Sequence, residues 1–274
     1  MADDDSTLGG ADKSQLENQP ATDAPDAGLE DASSDDVALH PEAADSQELV
    51  NRIIPEDVRK RYEVYSYRNA ALVLKEANPS EFEELMEALR KFRLTTSLIR
   101  EAGGNESAMP KLFSGHLRPL GWHETTIQAD LLVKLLWKEP EVTPRGRKFN
   151  APKDRQLTRA RFLDGHKVDY VKNRVAFDLE WNSKDQTFDR DLYAFSAFSQ
   201  CGVIDVGVLV TRGASLTPVF RALGPDVQKK YGASTTWMGK LLYRLNAGRN
   251  GPCPVLAFGI RPECIEDWTP RNAI

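Results

Sequence analysis

Apolar residues recur at helical spacing at Val58, Tyr62, Tyr65 and Ala70, which predicts a helix from Pro55 to about Glu76. Pro55 suits a first helical position, because the N–H it lacks would have no partner there. Order is expected to begin near Ile53-Ile54-Pro55. Asn78-Pro79 then interrupts the pattern, and Ser80 with Glu83 has the spacing of a capping box. A second helix follows to about Phe92, with Phe82, Met86 and Leu89 on one face. Gly103-Gly104-Asn105 signals a turn, and Pro110 and Pro119 predict an irregular stretch. Between Thr125 and Trp137 apolar residues crowd together (Ile127, Leu131, Leu132, Val133, Leu135, Leu136), as in a buried strand or pair of strands.

Strict alternation appears further on. His166–Val171 and Arg174–Trp181 each alternate apolar and polar residues, and Lys172-Asn173 between them is a tight-turn signal, so this segment predicts a β-hairpin. From Thr187 or Asp189 to about Cys201 the period returns to helical, with Phe188, Leu192, Phe195 and Phe198 on one side and Gly202 as the stop. Val203–Val210 is a hydrophobic run ending in Thr211-Arg212, which fits a buried central strand. Helices near 216–231 and 235–246 precede a last strand, Pro254–Ile260. Strands alternating with helices imply an α/β fold with a mixed sheet and helices on its flanks.

Charge divides the chain. The formal net charge of −5 averages two unlike segments. Residues 1–50 hold 14 Asp and Glu against a single Lys, with no aromatic residue. Such a leader cannot bury enough apolar surface to offset its ordering entropy, so residues 1–50 are expected to be a disordered acidic tail. Residues 51–274 carry 35 Lys and Arg against 27 Asp and Glu, a basic body suited to a polyanionic partner. Within it, Arg145, Arg147 and Lys148, followed by Lys153, Arg155, Arg159 and Arg161, read either as a solvated loop or as one that orders on phosphates. No run reaches the ~18 apolar residues of a membrane span, and no signal-peptide layout opens the chain, so a cytoplasmic protein is expected. Cys201, Cys253 and Cys264 are widely spaced, which suggests neither a disulfide framework nor a zinc site.

Candidate chemistry lies on the hairpin. In Phe177-Asp178-Leu179-Glu180-Trp181, residues two apart point the same way, so Asp178 and Glu180 share a face while Phe177, Leu179 and Trp181 anchor the other. Asp169, nine residues before Asp178 across the turn, can be brought beside them. Three such carboxylates repel one another, and a divalent cation removes that penalty. Oxygen-only ligands select Mg²⁺, Mn²⁺ or Ca²⁺ over zinc. Asp169 and Asp178 are the expected metal ligands, with Glu180 a further ligand or the group that orients and deprotonates a water. Such a site suits phosphodiester hydrolysis. Asn182 continues the face and could hydrogen-bond a ligand; Lys184 falls beyond the usual geometry.

These segments resemble the BglII/BstYI group of type II restriction endonucleases, a branch of the PD-(D/E)xK nucleases. The matching residues are His166-Lys167-Val168-Asp169-Tyr170, Arg174–Trp181 and the helix start Phe188-Asp189-Arg190-Asp191-Leu192. Flanking matches are Gly104-Asn105-Glu106-Ser107 with Leu120-Gly121-Trp122, and Tyr231–Thr236 leading to Gly239-Lys240-Leu241 and Cys253-Pro254-Val255-Leu256. The likeness spans roughly 55–262 and departs at Trp237, where relatives carry His. It implies a restriction-endonuclease-like core over 51–274. The expected activity is Mg²⁺-dependent cleavage of double-stranded DNA at a short palindrome, possibly GATC-centred, with Mn²⁺ as a substitute ion. It further implies a homodimer, for which the helix 188–201 with Tyr193, Phe195 and Phe198 is a candidate surface. Ser234, Thr235, Thr236 and Lys240, with Arg145, Arg147 and Lys148, are candidate DNA contacts. Alternatives are a structure-specific repair nuclease of the same fold and a DNA-binding protein without turnover.

Overall fold

Two short helices, α1 (Gln47–Ile53) and α2 (Glu56–Arg61), lead into strand β1 (Tyr62–Tyr67). The structure is a computed structural model describing residues 42–101 and 108–269. The first 41 residues of the acidic leader and the expected turn at 103–105 lie outside these, as does the match at 104–107. α1 opens ahead of the expected start of order near 53, and it buries Val50. The helix predicted across 55–76 is instead α2, β1 and α3 (Ala70–Ala77). Tyr-Glu-Val-Tyr-Ser-Tyr also alternates, and β1 pairs antiparallel with a strand near the chain's far end, an interaction no local pattern reports.

Helix α4 (Pro79–Lys91) follows with Pro79 in its first turn and Asn78 as N-cap, without a side-chain cap bond, so the expected Ser80–Glu83 capping box does not form. After α5 (Thr96–Arg100) and α6 (Ala108–Leu117) come two long strands, β2 (His123–Val142) and β3 (Lys148–Lys172). Then follow β4 (Val175–Glu180), α7 (Thr187–Gln200), β5 (Val206–Arg212), α8 (Thr217–Leu223), α9 (Pro225–Lys230), α10 (Met238–Asn246) and β6 (Val255–Ile260). The sheet order is β1-β6-β5-β4-β3-β2. β4, β5 and β6 run parallel and the outer pairings are antiparallel, the mixed α/β arrangement expected.

Each sheet face has its own core. One holds Phe177, Val208 and Phe258 from the strands against Leu85, Phe113 and Phe220 from helices. The other holds Ala176, Leu209 and Ala257 under Phe188, Leu192, Phe195 and Phe198 of α7 and Leu241 and Leu245 of α10. α7 sits close to the sheet because Gly207 of β5 leaves room for it: a Cβ there would lie 2.3 Å from the Phe195 ring. Phe195 and Phe198 are therefore core residues, not the expected dimer surface; on α7 the exposed aromatic is Tyr193.

The outer part of β2–β3 corrects two expectations. Residues 125–137 do form a strand, but Leu132, Leu135, Leu136 and Trp137 are exposed, Leu136 at 75%. Residues 148–161 are a strand rather than a basic loop, with the turn confined to 143–147. The two strands pair in continuous register from Leu131↔Arg159 to Val142↔Lys148, so they form an arm. Eleven steps at ~3.3 Å per residue give it a length of about 36 Å. Among the described residues, no helix is long and apolar enough to cross a membrane.

Candidate active site

The hairpin forms as predicted. Tyr170↔Phe177, Val171↔Ala176 and Lys172↔Val175 pair around a two-residue loop in which Asn173 takes φ 48°, a left-handed conformation that Asn tolerates. Helix α4 holds this loop: Lys172 Nζ lies 2.6 Å from Glu84 Oε1, and Asn173 Nδ2 donates to Glu81 Oε1 at 2.5 Å.

Past Tyr170 and Phe177 the ladder ends, and side chains replace it. The Asp169 backbone N–H donates to Asp178 Oδ1 at 2.7 Å, and the Leu179 N–H donates to Asp169 Oδ2 at 3.1 Å. Two carboxylates are thereby seated where the strands part. On the face of β4 that carries Ala176, Asp178 is 3% exposed and Glu180 7%. Phe177, Leu179 and Trp181 pack into the opposite core, as the alternation required. Asp169 and Asp178 meet through these two bonds, and the Glu180 carboxyl lies near enough for its charge to act on Asp178.

The structure adds members that the pattern missed. Asp191 of α7 is buried, and His166 of β3 stands beside it with Nε2 3.2 Å from Asp191 Oδ1. That pair is close in distance but makes no hydrogen bond, since Nε2 has no partner of acceptable geometry among the described residues. Asp191 left a readable trace: it lies three residues after Phe188 and four before Phe195, a charge on the apolar face of the helix. His166 left no trace beyond its place in the matching segment. Asn182, half-buried in the bend just past the end of β4, has an Oδ1 without a partner among the described residues.

Crowded acids in a dry place resist ionisation. Burial, then Asp191 and Asp169, raise the Asp178 carboxyl well above its ordinary value. Burial, then Asp191, push Glu180 up to about 7, against hydrogen bonds from Ser183 and Thr187 that favour its charged form. Burial also raises Asp169, opposed by the Leu179 N–H. Asp178 Oδ2 has no hydrogen-bond partner among the described residues, although it is buried. A divalent cation would satisfy that oxygen and remove the repulsion, so the residues present fit one.

The candidate DNA contacts fall in two places. Arg212 is buried against the stacked rings of Phe220 and Tyr231, and burial lowers its pKa to about 9. It donates to Thr236 O at 2.9 Å and Tyr231 O at 3.2 Å, and also to Thr235 Oγ1. These bonds hold residues 231–236 beside the exit of β4, where the Thr236 N–H donates to Ser183 O at 2.9 Å. Ser234 is exposed there and Thr235 half-buried, while Thr236 is fully buried and presents no surface. Lys240 lies 3.6 Å from Asp185. Trp237 is buried under Gly239 rather than displayed. Arg145, Arg147 and Lys148 stand at the far end of the arm, away from the carboxylates.

The family profile described as restriction endonuclease BglII/BglIII matches residues 62–260. That interval runs from the first residue of β1 to the last of β6, so it contains the whole sheet and every candidate site residue. No curated protein matches the chain.

Proposed function

The chain belongs to the BglII/BglIII restriction endonuclease family, and from that premise we propose that it is a Mg²⁺-dependent type II enzyme whose metal ligands are Asp169, Asp178 and Glu180. The observation that carries this reading is the buried, unpartnered Asp178 Oδ2 amid these carboxylates. An ion held there supplies polarisation of the scissile phosphate and charge for the leaving oxygen. Asp169 and Asp178 are held by each other's strands through the two backbone N–H bonds, so their carboxylates are preorganised. Glu180 acts either as a further ligand of the ion or as the group that orients the attacking water and takes its proton. The Thr187 hydroxyl, donating to Glu180 Oε2 at 3.1 Å, sets that carboxylate's direction. Mn²⁺ substitutes for Mg²⁺ because both accept oxygen ligands.

The substrate reading extends this. Duplex DNA lies against Ser234, Thr235 and Lys240 near the carboxylates, and the arm reaches phosphates with Arg145, Arg147 and Lys148. Two copies of the chain straddle a short palindrome in the cytoplasm, each cutting one strand. Tyr193 and the exposed apolar residues of the arm offer surface for the second copy. The intact carboxylate set argues against a binding protein without turnover.

Plasmid DNA is expected to give discrete fragments with Mg²⁺ and none in EDTA, with fragment ends that share one short palindrome on sequencing. Fragments that persist in EDTA, or ends without a common sequence, would defeat the type II assignment. Replacing Arg145, Arg147 and Lys148 together by Ala should weaken DNA binding without changing the site cut. It should also flatten the dependence of log affinity on log salt by up to about 3, near one unit per phosphate contact. An unchanged salt slope in a binding titration removes the arm tip from the interface.

A further inference from the structure

Four carboxylates converge at this site, and one of them lies outside the hairpin pattern. Asp191 is 1% exposed, and its Oδ2, like Asp178 Oδ2, has no hydrogen-bond partner among the described residues. One ligand atom from each of His166, Asp178 and Asp191 lies within 4.8 Å of the other two. Buried polar atoms are paired in roughly nine cases of ten or more, so an unpaired atom on each of these three neighbouring side chains calls for a common partner. Donors around a single ion at bond lengths near 2.1 Å stand about 3 to 4.2 Å apart, so small side-chain rotations close the triangle.

Charge leads to the same place. The Asp191 charge acts on Asp169, Asp178 and Glu180 alike, and the Arg190 guanidinium is a basic group that reaches this cluster. It lies 3.4 Å from Asp191 Oδ1 and 3.9 Å from Glu180 Oε1, but is 58% exposed. One divalent ion on Asp169, Asp178 and Glu180 offsets two charges and leaves Asp191 to the exposed Arg190 guanidinium. A water-accessible route exists: a cleft of about 330 Å³ is lined by His166 and Arg190 together with Phe162, Leu163 and Tyr193.

We propose that His166, Asp178 and Asp191 form a second cation site, sharing Asp178 with the first, whose imidazole ligand selects a transition ion such as Mn²⁺ over Mg²⁺ or Ca²⁺. The inference rests on the reading of Asp169, Asp178 and Glu180 as the first site. An oxygen-only set suits hard ions, whereas a neutral imidazole shifts preference toward the first-row transition metals. His166 serves with the Nε2 lone pair, its proton on Nδ1. The ion ties α7 to β3 and β4, adding to the Thr187–Glu180 hydrogen bond that already joins α7 to β4.

The test is Mn²⁺ binding to the full chain without DNA, counted by calorimetry and by loss of the free-ion EPR signal. Wild type should hold two Mn²⁺ with an exchange-coupled EPR spectrum, because one carboxylate is shared, and millimolar Ca²⁺ should displace only one. His166→Gln and Asp191→Asn should each hold one Mn²⁺, fully displaced by Ca²⁺, with unchanged circular dichroism. Two Mn²⁺ retained in both variants would overturn the second site. So would a wild type holding one Mn²⁺ that Asp169→Asn loses and His166→Gln keeps, and that result leaves the first site standing. A single Mn²⁺ kept by Asp169→Asn and Glu180→Gln but lost in His166→Gln would uphold the histidine site and defeat the reading of the first.

Discussion

Replacing Asp178 by Asn should abolish DNA cleavage while making the metal-free protein more stable. The two effects share a cause. Asp178 is buried, its carboxyl is pushed well above the ordinary range by burial and by Asp191 and Asp169, and Oδ2 has no partner among the described residues. The amide keeps an oxygen to accept the Asp169 N–H, so the local backbone bond survives, while the buried charge is removed. Relief of about 1–3 kcal/mol is expected, a rise of several degrees in melting temperature for a domain of this size. Lewis-acid assistance contributes several kcal/mol to the transition state, and each ~1.4 kcal/mol is tenfold, so cleavage should fall by at least about 10³-fold. Melting curves in EDTA and single-turnover cleavage with Mg²⁺ measure both. Activity within tenfold of wild type would take Asp178 out of the site, and a lower melting temperature would show that its charge is compensated.

The metal-free protein should lose stability as pH rises through neutrality, and a divalent cation should restore it. Glu180 has its carboxyl raised from 4.5 to about 7 in the folded chain. A carboxyl that is harder to ionise folded than unfolded binds more protons in the native state. Its contribution is therefore favourable below about 4.5 and is lost as pH climbs through 7. A difference of roughly 2.5 pKa units corresponds to about 3 kcal/mol, and Glu180 is buried enough for little solvent screening. Asp169 and Asp178 shift in the same direction and add to the slope. Asp189 and Asp205, lowered chiefly by hydrogen bonds from arginines, act oppositely, but their loss occurs in the acid range below the window tested. Unfolding midpoints in EDTA should fall between pH 5 and pH 7.5, and the gain from added Ca²⁺ should widen over the same interval, because the ion requires deprotonated ligands. A flat or rising midpoint in EDTA would contradict the crowding of these acids.

What could be read from the chain was what depends on near neighbours. Alternation puts Asp178 and Glu180 on one face whatever else the protein does, and a tight turn, signalled at Lys172-Asn173 and formed one residue later at Asn173-Arg174, leaves Asp169 beside Asp178. The helix over 187–200 was legible for the same reason, since its apolar period lies within one element. Non-local pairing overrode local signals elsewhere. Residues 62–65 fit a helical period, yet β6 supplies a strand edge almost two hundred residues away and β1 takes it. The apolar density of 125–137 was read as burial, but burial depends on what packs against a strand. Among the described residues the outer part of β2 pairs with β3 alone, so Leu132, Leu135 and Leu136 remain exposed.

By itself, then, the sequence determined the hairpin, the direction of its carboxylates and the helix that follows. Only the tertiary structure decided that Asp191 and His166 meet Asp178, that Phe195 and Phe198 are core while Tyr193 is not, and that the arm projects. The reason is physical: side-chain direction is set within a few bonds by backbone geometry, whereas burial, field and partner are set by segments that only the folded chain brings together.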